Sequence, residues 1–415
     1  MNSTSSYPPP LYRWTVVALL LLTAILAYTD RQVLSLLVDP VRRDLGIGDT
    51  EISLLLGTAF ALVYGIAGIP LGWLADRWSR RNMIVGGIVL WSLATVACGL
   101  AHSYAELFAA RIFVGLGEAV LSPAAISLIS DYFPPQRRGT AVGFFLAGIA
   151  IGAGGSIVIG GLALSAVESG FFGTDLPAWR LVLLLIGAPG LLWGLLLFAI
   201  REPERRTEEL AESGGPRQMA GWQRLAPLYA AVALASLVDN AVGAWSPSLL
   251  IRQFSLEPAA VGVTLGLLLV VGFGVGVLAG GMLADWAGSA RGKIRVCLAA
   301  ALLILPDSAL LLSDRLFLVE AGVPLYFLLS GIVTASGFSA ILDYVPNRSR
   351  GLAMSVSFFL NVALGAACGP TAVALASAHL FGGALAPAIA GVMAAGYLLV
   401  NAALGSAWRK RTATT

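Results

Sequence analysis

Residues 72–81 read GWLADRWSRR, and the start of this stretch returns 209 residues later as GMLAD at 281–285. A second stretch behaves in the same way. DYFPPQRRG at 131–139 returns 212 residues later as DYVPNRSRG at 343–351. Two matches at nearly one spacing indicate an internal repeat, so the chain is predicted to consist of two similar halves.

Long apolar runs fill most of the chain around these stretches. Of the 415 residues 58% are hydrophobic and only 12% are charged, whereas about a quarter of the residues of a soluble domain are charged. Each run holds roughly 20 apolar residues, enough to cross a bilayer as a helix. The twelve runs are 14–37, 52–74, 82–101, 105–130, 139–163, 180–200, 226–251, 259–284, 293–312, 317–341, 351–376 and 384–407. With the repeat, they predict an all-α polytopic membrane protein whose twelve transmembrane helices form two pseudo-symmetric six-helix bundles.

The distribution of Lys and Arg predicts how the chain is oriented. Nineteen of these 26 residues fall on the side of the N-terminus, five fall on the opposite side, and two lie inside runs. The positive side of a membrane protein stays in the cytoplasm, so both termini are predicted to be cytoplasmic. The polar stretch 201–225 carries five Arg and five Glu. It is predicted to be a cytoplasmic linker between bundles at 1–200 and 226–415.

Few residues in the sequence indicate catalysis or metal binding. The two histidines, His102 and His379, fall in predicted outward-facing loops. Cys98, Cys297 and Cys368 lie inside the apolar runs and are interpreted as small core residues, without a disulfide or metal pattern. A membrane enzyme, a bound metal and a bound cofactor are therefore disfavoured. A receptor that transports nothing remains an alternative to a transporter. Measuring substrate flux through the purified protein would separate a receptor from a transporter.

Four charged residues lie together in the first half. Asp30 and Arg31 are in the first run, and Arg111 and Glu118 are in the fourth. A charge at the bilayer centre costs roughly 2.5–3.5 kcal/mol on insertion scales, so such residues usually have a function or a partner. Neighbours in a helix point about 100° apart, whereas residues seven apart share a face. We therefore expect Glu118 to pair with Arg31, and Asp30 to pair with Arg111 or water.

These four residues are the candidates for ion chemistry. Asp30 and Glu118 are predicted to carry protons, because burial and a nearby arginine shift a carboxyl group in opposite directions. Arg31 and Arg111 are predicted to be their counter-charges or to bind an anionic head group, which suits the guanidinium fork. The alternative is a permanent salt bridge that only fixes the helices.

The second half is nearly neutral at the matching positions. Asp239 matches Asp30 at the spacing of 209, but Asn240 replaces the arginine and Ser330 lies where Glu118 would map. A cavity with one charged wall and one apolar wall suits an amphipathic substrate, whether a lipid or a drug. We assign Asp239 to substrate contact or counter-charge, and a hydrogen-bonded packing role is the alternative. Further candidate lining residues are Tyr64, Trp245 and Asn361.

The motifs resemble those of a known family. GWLADRWSRR resembles the loop between helices 2 and 3 of the major facilitator superfamily, with Ser79 where glycine is usual. Two six-helix halves are also that family's architecture. Tyr28-Thr-Asp30-Arg31, followed by Gly115-Leu-Gly117-Glu118-Ala119, resembles the Spinster family. Its members export lysophospholipids and sphingosine phosphates, and its bacterial members resemble proton-coupled transporters.

The resemblance implies a proton-coupled secondary transporter of a lysophospholipid-type or sphingosine-phosphate-type substrate. Its partners would be that small molecule, protons and membrane lipid, without nucleic acid. It would be a monomer in a cell membrane, the inner membrane of a bacterium, and would work by alternating access between the bundles. The resemblance also implies a gating latch on the cytoplasmic side. The residues assigned to the latch are Asp76, Arg77, Arg81, Asp131, Arg138, Asp285, Asp343 and Arg350.

Two other transporter types remain open, a drug/proton antiporter and an organic-anion/proton symporter. Antiporters of the superfamily often carry Gly-x8-Gly-x3-Gly-Pro-x2-Gly-Gly on helix 5. Gly143, Gly152, Gly160 and Gly161 fit this pattern, but Ser156-Ile157 replaces the Gly-Pro pair. The motif therefore supports antiport only in part.

Overall fold

The computed structural model describes residues 7–75, 77–170, 172–173, 175–205, 222–345 and 350–409. Sixteen α-helices account for most of these residues. Their bounds are α1 Pro10–Gln32, α2 Val38–Leu45, α3 Asp49–Ser53, α4 Ala59–Ala75, α5 Arg80–Leu100, α6 Tyr104–Glu118, α7 Leu121–Tyr132, α8 Pro135–Glu168, α9 Ala178–Leu197, α10 Trp222–Phe254, α11 Pro258–Ala287, α12 Ala290–Asp307, α13 Leu316–Asp343, α14 Arg350–Leu360, α15 Ala367–Leu380 and α16 Leu385–Arg409.

Twelve segments within the described residues are long and apolar enough to cross a membrane. They follow the order of the twelve predicted runs, so the all-α fold with twelve transmembrane helices is confirmed. The largest difference is at the eleventh segment, which begins at Asn361 instead of 351. Helix α14 nevertheless continues straight into it through the π-helical turn Asn361–Ala366.

The chain separates into two compact units. Unit 1 holds the described residues of Met1–Leu45 and Leu62–Glu212, and unit 2 holds those of Gly46–Ala61 and Ser213–Thr415. The second transmembrane segment therefore starts in unit 2 and ends in unit 1. The division into bundles at 1–200 and 226–415 stays a prediction.

Serine caps begin the third transmembrane helix of each half. The Ser79 hydroxyl accepts a hydrogen bond from the Asn82 N–H at 3.3 Å, where α5 begins. The Ser289 hydroxyl accepts one from the Gly292 N–H at 3.1 Å, where α12 begins. A serine at this position satisfies a backbone donor that the first helical turn leaves open. Ser79, which stands where glycine is usual, therefore caps α5 with its side chain.

Glycines allow the helices to pack closely within each unit. In unit 1, a Cβ on Gly148 would lie 2.7 Å from the Leu21 carbonyl oxygen, and one on Gly152 would lie 2.8 Å from the Tyr28 Cβ. In unit 2, Gly272 and Gly280 meet the backbone of α13 in the same way. Small residues at helix contacts let backbones approach in membrane proteins. These glycines are therefore packing residues.

The cysteines differ from one another in exposure. Cys98 and Cys297 are buried, as expected, but Cys368 is exposed. The interpretation of Cys368 as a core residue is therefore wrong, because its side chain lies on an exposed side of the eleventh segment.

Candidate functional site

The polar centre of unit 1 is an ion pair between the first and fourth transmembrane segments. The Arg31 Nη2 atom lies 2.7 Å from the Glu118 Oε2 atom. Arg31 is in the last turn of α1 and Glu118 is the last residue of α6. The Glu118 side chain is 1% exposed and that of Arg31 is 16% exposed. The expected pairing of Arg31 with Glu118 is confirmed, although its role is a separate question.

Two tyrosine rings also contact the guanidinium of Arg31. Its Cζ atom lies 4.5 Å from the centroid of the Tyr28 ring and 5.1 Å from that of Tyr64. Rings within about 6 Å of a cation attract it through their electron-rich faces. Tyr64 therefore lies beside the ion pair. Tyr28 belonged to the motif in the sequence, but its contact with Arg31 was not anticipated.

Arg111 binds the end of the first helix through its main chain. Its Nη1 atom donates to the Asp30 carbonyl oxygen at 3.1 Å, and its Nη2 atom donates to the Arg31 carbonyl oxygen at 3.2 Å. The last carbonyls of a helix lack partners within the helix. Arg111 satisfies two of them where α1 gives way to the tighter turn Val33–Ser35. The sequence had suggested a contact with the Asp30 side chain instead.

Asp30 is buried beside Arg111. Its residue is 3% exposed, and its Oδ1 atom has no hydrogen-bond partner among the described residues. Asp30 lines a small recess with Thr95, Cys98 and Arg111. A buried carboxyl oxygen without a donor is a natural place to accept a proton. This geometry makes Asp30 chemically able to carry one.

Close packing of α5 and α6 positions Glu118. A Cβ on Gly117 would lie 2.7 Å from the Trp91 backbone nitrogen, and one on Gly87 would lie 2.7 Å from the Gly117 carbonyl oxygen. Only glycines allow so close a crossing. The glycine before Glu118 in the motif therefore fixes the helix that carries the carboxylate.

The polar centre of unit 2 is Asp239 on α10. Its Oδ1 atom accepts a hydrogen bond from the Tyr326 hydroxyl at 2.6 Å and another from the Ser330 hydroxyl. Asp239 is partly exposed. The repeat predicted Ser330 at the position of Glu118, but no sequence signal pointed to Tyr326.

The other two candidates in unit 2 make packing contacts. The Asn361 carbonyl oxygen accepts from the Ser236 hydroxyl at 3.4 Å. Trp245 is fully buried, and its indole N–H donates to the Pro370 carbonyl oxygen at 2.9 Å. A ring held in this way fills the core of unit 2. Contact of either residue with substrate stays a prediction.

An ionic cluster in unit 1 joins the latch stretches. Arg80 pairs with Asp131, and its Nε atom lies 2.8 Å from the Glu202 Oε1 atom. Glu202 also accepts hydrogen bonds from the Ser79 hydroxyl at 2.9 Å and the Arg81 N–H at 2.8 Å. Burial would raise the pKa of Glu202, but the Arg81 N–H, the Arg80 guanidinium and the Ser79 hydroxyl hold it below its ordinary value.

Sequence reasoning missed Arg80 and Glu202 in this cluster. The alternating charges after the sixth run, Arg201-Glu202-Pro203-Glu204-Arg205, were the available signal. They were interpreted only as part of a solvated linker.

The remaining latch candidates lie nearby or in the matching loop of unit 2. Arg77 stacks on Trp73, with its Cζ atom 3.7 Å from the ring centroid, and Arg138 donates to the Phe133 carbonyl oxygen at 3.0 Å. In unit 2, Asp343 pairs with Lys293 at 2.7 Å. Asp285 is exposed. Asp76 and the side chain of Arg350 lie outside what the structure describes.

Unit 2 contains a further ion pair that sequence reasoning missed. Both terminal nitrogens of Arg252 contact the carboxylate of Asp49, at 2.8 and 2.9 Å. Close by in the chain, the Thr58 hydroxyl donates to the Ala367 carbonyl oxygen at 2.9 Å. These contacts hold the start of the second transmembrane segment within unit 2.

Comparison with known proteins gives several matches. A relative from Mycolicibacterium smegmatis named "MFS-type efflux pump" is 27% identical over 381 residues, which are 89% of this chain and 86% of that protein. The "Probable L-galactonate transporter" of Escherichia coli is 29% identical over 369 residues, 80% of this chain and 79% of that protein. A crystal structure of a bacterial homologue of the human lysosomal transporter Spinster, inward-facing and occupied, shares the fold. Its TM-score is 0.84 at 24% identity, with 98% of each chain covered.

The family model described as Major Facilitator Superfamily matches residues 20–370. Because this match spans most of the chain, the protein belongs to the major facilitator superfamily and is a transport protein, not an enzyme.

Proposed function

We propose that this protein is a proton-coupled secondary transporter of an amphipathic, lipid-like substrate of the lysophospholipid or sphingosine-phosphate type. One observation carries the proposal: two buried acids, Asp30 and Glu118, lie in the same unit as the buried Arg111 and the partly buried Arg31. The described residues pair Glu118 with Arg31 at 2.7 Å and leave one Asp30 oxygen without a donor. Such residues inside a membrane protein commonly mark ion pathways.

The Arg31–Glu118 pair can link protons to an anionic head group. Removing one partner of a buried ion pair leaves an uncompensated charge, at a cost of about 3–5 kcal/mol. Protonation of Glu118 would break the pair and leave Arg31 to bind a phosphate or carboxylate. Conversely, an anion on Arg31 would favour the protonated form of Glu118. The two binding events therefore support each other.

The contrast between the units supports an amphipathic substrate. The four charged side chains of unit 1 can contact a head group, whereas the matching positions of unit 2 hold a single acid, Asp239. Apart from Asp239, the matching positions of unit 2 offer little polar surface. This feature also suits an amphipathic drug.

Two alternatives have specific support. The efflux pump among the relatives favours a drug/proton antiporter, and the L-galactonate transporter favours an organic-anion/proton symporter. The direction of proton movement when substrate is added separates them. Protons that enter with the substrate indicate symport, and protons that leave against it indicate antiport.

The test is proton-driven flux through the purified protein in liposomes that contain a pH-sensitive dye. We expect Asp30→Asn and Glu118→Gln each to lower lysophospholipid flux at least about tenfold, the ratio that corresponds to 1.4 kcal/mol. Asp307→Asn is the matched control, because Asp307 is a buried acid of unit 2 outside the proposed pathway. Unchanged proton-driven flux in both test variants would refute the coupling role. Replacing the lipid with small organic anions or drugs tests the substrate class.

The gating latch and the orientation belong to the same proposal. We propose that the loop stretches around Arg80–Asp131 and Lys293–Asp343 open and close the cytoplasmic side, as the two bundles expose the substrate alternately to each side. Both termini would then lie in the cytoplasm of a bacterial cell, and the monomer would be the working unit. Labelling of a single cysteine added at the C-terminus, from outside intact cells, tests the orientation.

A further inference from the structure

The hydrogen bonds that Asp239 accepts suit an ionised carboxylate. One oxygen, Oδ1, accepts from both the Tyr326 hydroxyl and the Ser330 hydroxyl. An ionised carboxylate only accepts hydrogen bonds, and one of its oxygens can take two donors. Tyr326 is itself fixed, since its ring packs edge-on against Phe327 at 5.0 Å and Tyr397 at 6.1 Å. Two buried donors are therefore held in place for a negative charge.

No cation accompanies this charge in the part of the chain that the structure describes. The hydrogen bonds to Asp239 come from hydroxyl groups alone, and no lysine or arginine forms an ion pair with it. The residue at the matching position of Arg31 is Asn240. In unit 1, by contrast, two acids lie with two arginines. The negative charge of an ionised Asp239 would therefore have no compensating cation among the described residues.

The second oxygen of Asp239 is available to a ligand. Among the described residues no hydrogen bond reaches Oδ2, and the residue is partly exposed. An ionised group in an apolar setting is costly unless a countercharge and hydrogen bonds compensate it. Hydroxyl donors on Oδ1 supply the hydrogen bonds but no positive charge. The missing component is a cation that donates N–H groups to Oδ2.

We infer that Asp239 binds a positively charged ammonium group of the substrate. This inference rests on the proposed function and narrows it. The substrate would be an amphiphile that carries an ammonium group in addition to its anionic group, and not one whose head group is only anionic. A charge-assisted hydrogen bond from the ammonium to the carboxylate would then select between lipids with the same tail.

The experiment measures binding of two lysolipids that share a lauroyl tail and a phosphate. Lysophosphatidylethanolamine carries an ammonium group, whereas lysophosphatidylglycerol carries hydroxyl groups in its place. Native mass spectrometry of the purified full chain in maltoside detergent gives the bound fraction of each, without a pH gradient. We expect the parent protein to prefer the ethanolamine lipid by about tenfold or more, the ratio expected for one hydrogen bond to a charged group.

Asp239→Asn should abolish this preference and leave the affinity for lysophosphatidylglycerol unchanged. Asparagine keeps an oxygen that can accept from Tyr326 and Ser330, so the variant is expected to fold. Asp307→Asn is the matched control and should keep the preference. Equal binding of both lipids by the parent, or a preference that survives in Asp239→Asn, would overturn the inference while leaving proton-driven flux untouched. Failure of the parent to bind either lipid would overturn both the lipid substrate and this inference.

Discussion

The polar centres of the two units solve the same physical problem in different ways. Asp30 and Asp239 occupy matching positions of the repeat, and so do Glu118 and Ser330. Unit 1 balances its buried acids with arginines, one of which pairs with Glu118. Unit 2 holds its acid with neutral hydroxyls of Tyr326 and Ser330. The matching positions of the repeat thus hold acids paired with arginines in unit 1 and a single acid held by hydroxyls in unit 2.

Under the proposed function, the two polar centres would act on different chemical groups. An acid that is paired with an arginine can exchange that partner for a proton, and the arginine is then free to bind an anion. An acid that is held by hydroxyls and lacks a cation attracts a positively charged group instead. Each polar centre is therefore open to separate tests by mutation.

The largest expected effect comes from Glu118→Ser, which gives unit 1 the residue that the repeat places in unit 2. The Arg31 guanidinium would lose its carboxylate in a buried setting, so we expect the free energy of unfolding to fall by about 3–5 kcal/mol. The measurement is reversible unfolding in mixed micelles. Glu204→Ser, which changes an exposed acid, should have little effect. A loss as small as that of the control would show that the pair contributes little to stability.

Tyr326→Phe tests whether Asp239 is ionised. It removes one hydrogen bond to the carboxylate, and we expect a loss of about 1.5–3 kcal/mol in the free energy of unfolding if the acceptor is charged. The matched control is Tyr229→Phe, because the Tyr229 hydroxyl donates to the neutral Ala353 carbonyl oxygen at 3.2 Å. That change should cost only about 0.5–1.5 kcal/mol. Equal losses in the two variants would contradict a charged Asp239.

Gly117→Ala tests how the packing of unit 1 supports its ion pair. The new methyl group would meet the Trp91 backbone nitrogen at 2.7 Å, and overpacking of this kind costs about 1–3 kcal/mol. We expect a lower unfolding temperature and weaker proton-driven flux, while the head-group preference assigned to Asp239 is retained. Gly143→Ala is the control, since a Cβ there meets nothing within 4 Å. If Gly117→Ala retains the same proton-driven flux as Gly143→Ala, the close packing at Gly117 is not needed for proton coupling.

The smallest effect is expected at Glu202, whose pKa lies below its ordinary value of 4.5. A lowered pKa in the folded state stabilises the protein above pH 4.5, and this contribution is lost as the pH falls through the lowered value. Glu202→Gln should therefore reduce stability at neutral pH by less than about 1 kcal/mol, since the site is partly exposed. Unfolding temperatures of variant and parent should converge below pH 4.5. The unfolding temperature of Glu204→Gln should equal that of the parent at every pH. If the unfolding temperatures of Glu202→Gln and the parent differ by the same amount at every pH, the lowered pKa of Glu202 is contradicted.

Some features of the site could be predicted because they depend on helix geometry and burial. The pairing of Arg31 with Glu118 was expected from the direction of the residues on their helices. The partners of Arg111 were not, because they are backbone carbonyls at the end of α1, where the helix tightens. A helical pattern predicts where a side chain points, but it does not predict where a helix ends or which carbonyls become available.

Apolar length and internal repetition were sufficient to predict the twelve transmembrane helices and the two related halves, because a bilayer requires long apolar helices and the repeated motifs keep their spacing. Other contacts between residues distant in sequence could not be predicted. Glu202 reaches back to Arg80, Tyr326 donates to Asp239, and Arg252 pairs with Asp49 in unit 2. Each of these contacts depends on which helices pack together and at what height. Local hydrophobic periodicity carries no information about that choice, since many packings bury the same apolar faces.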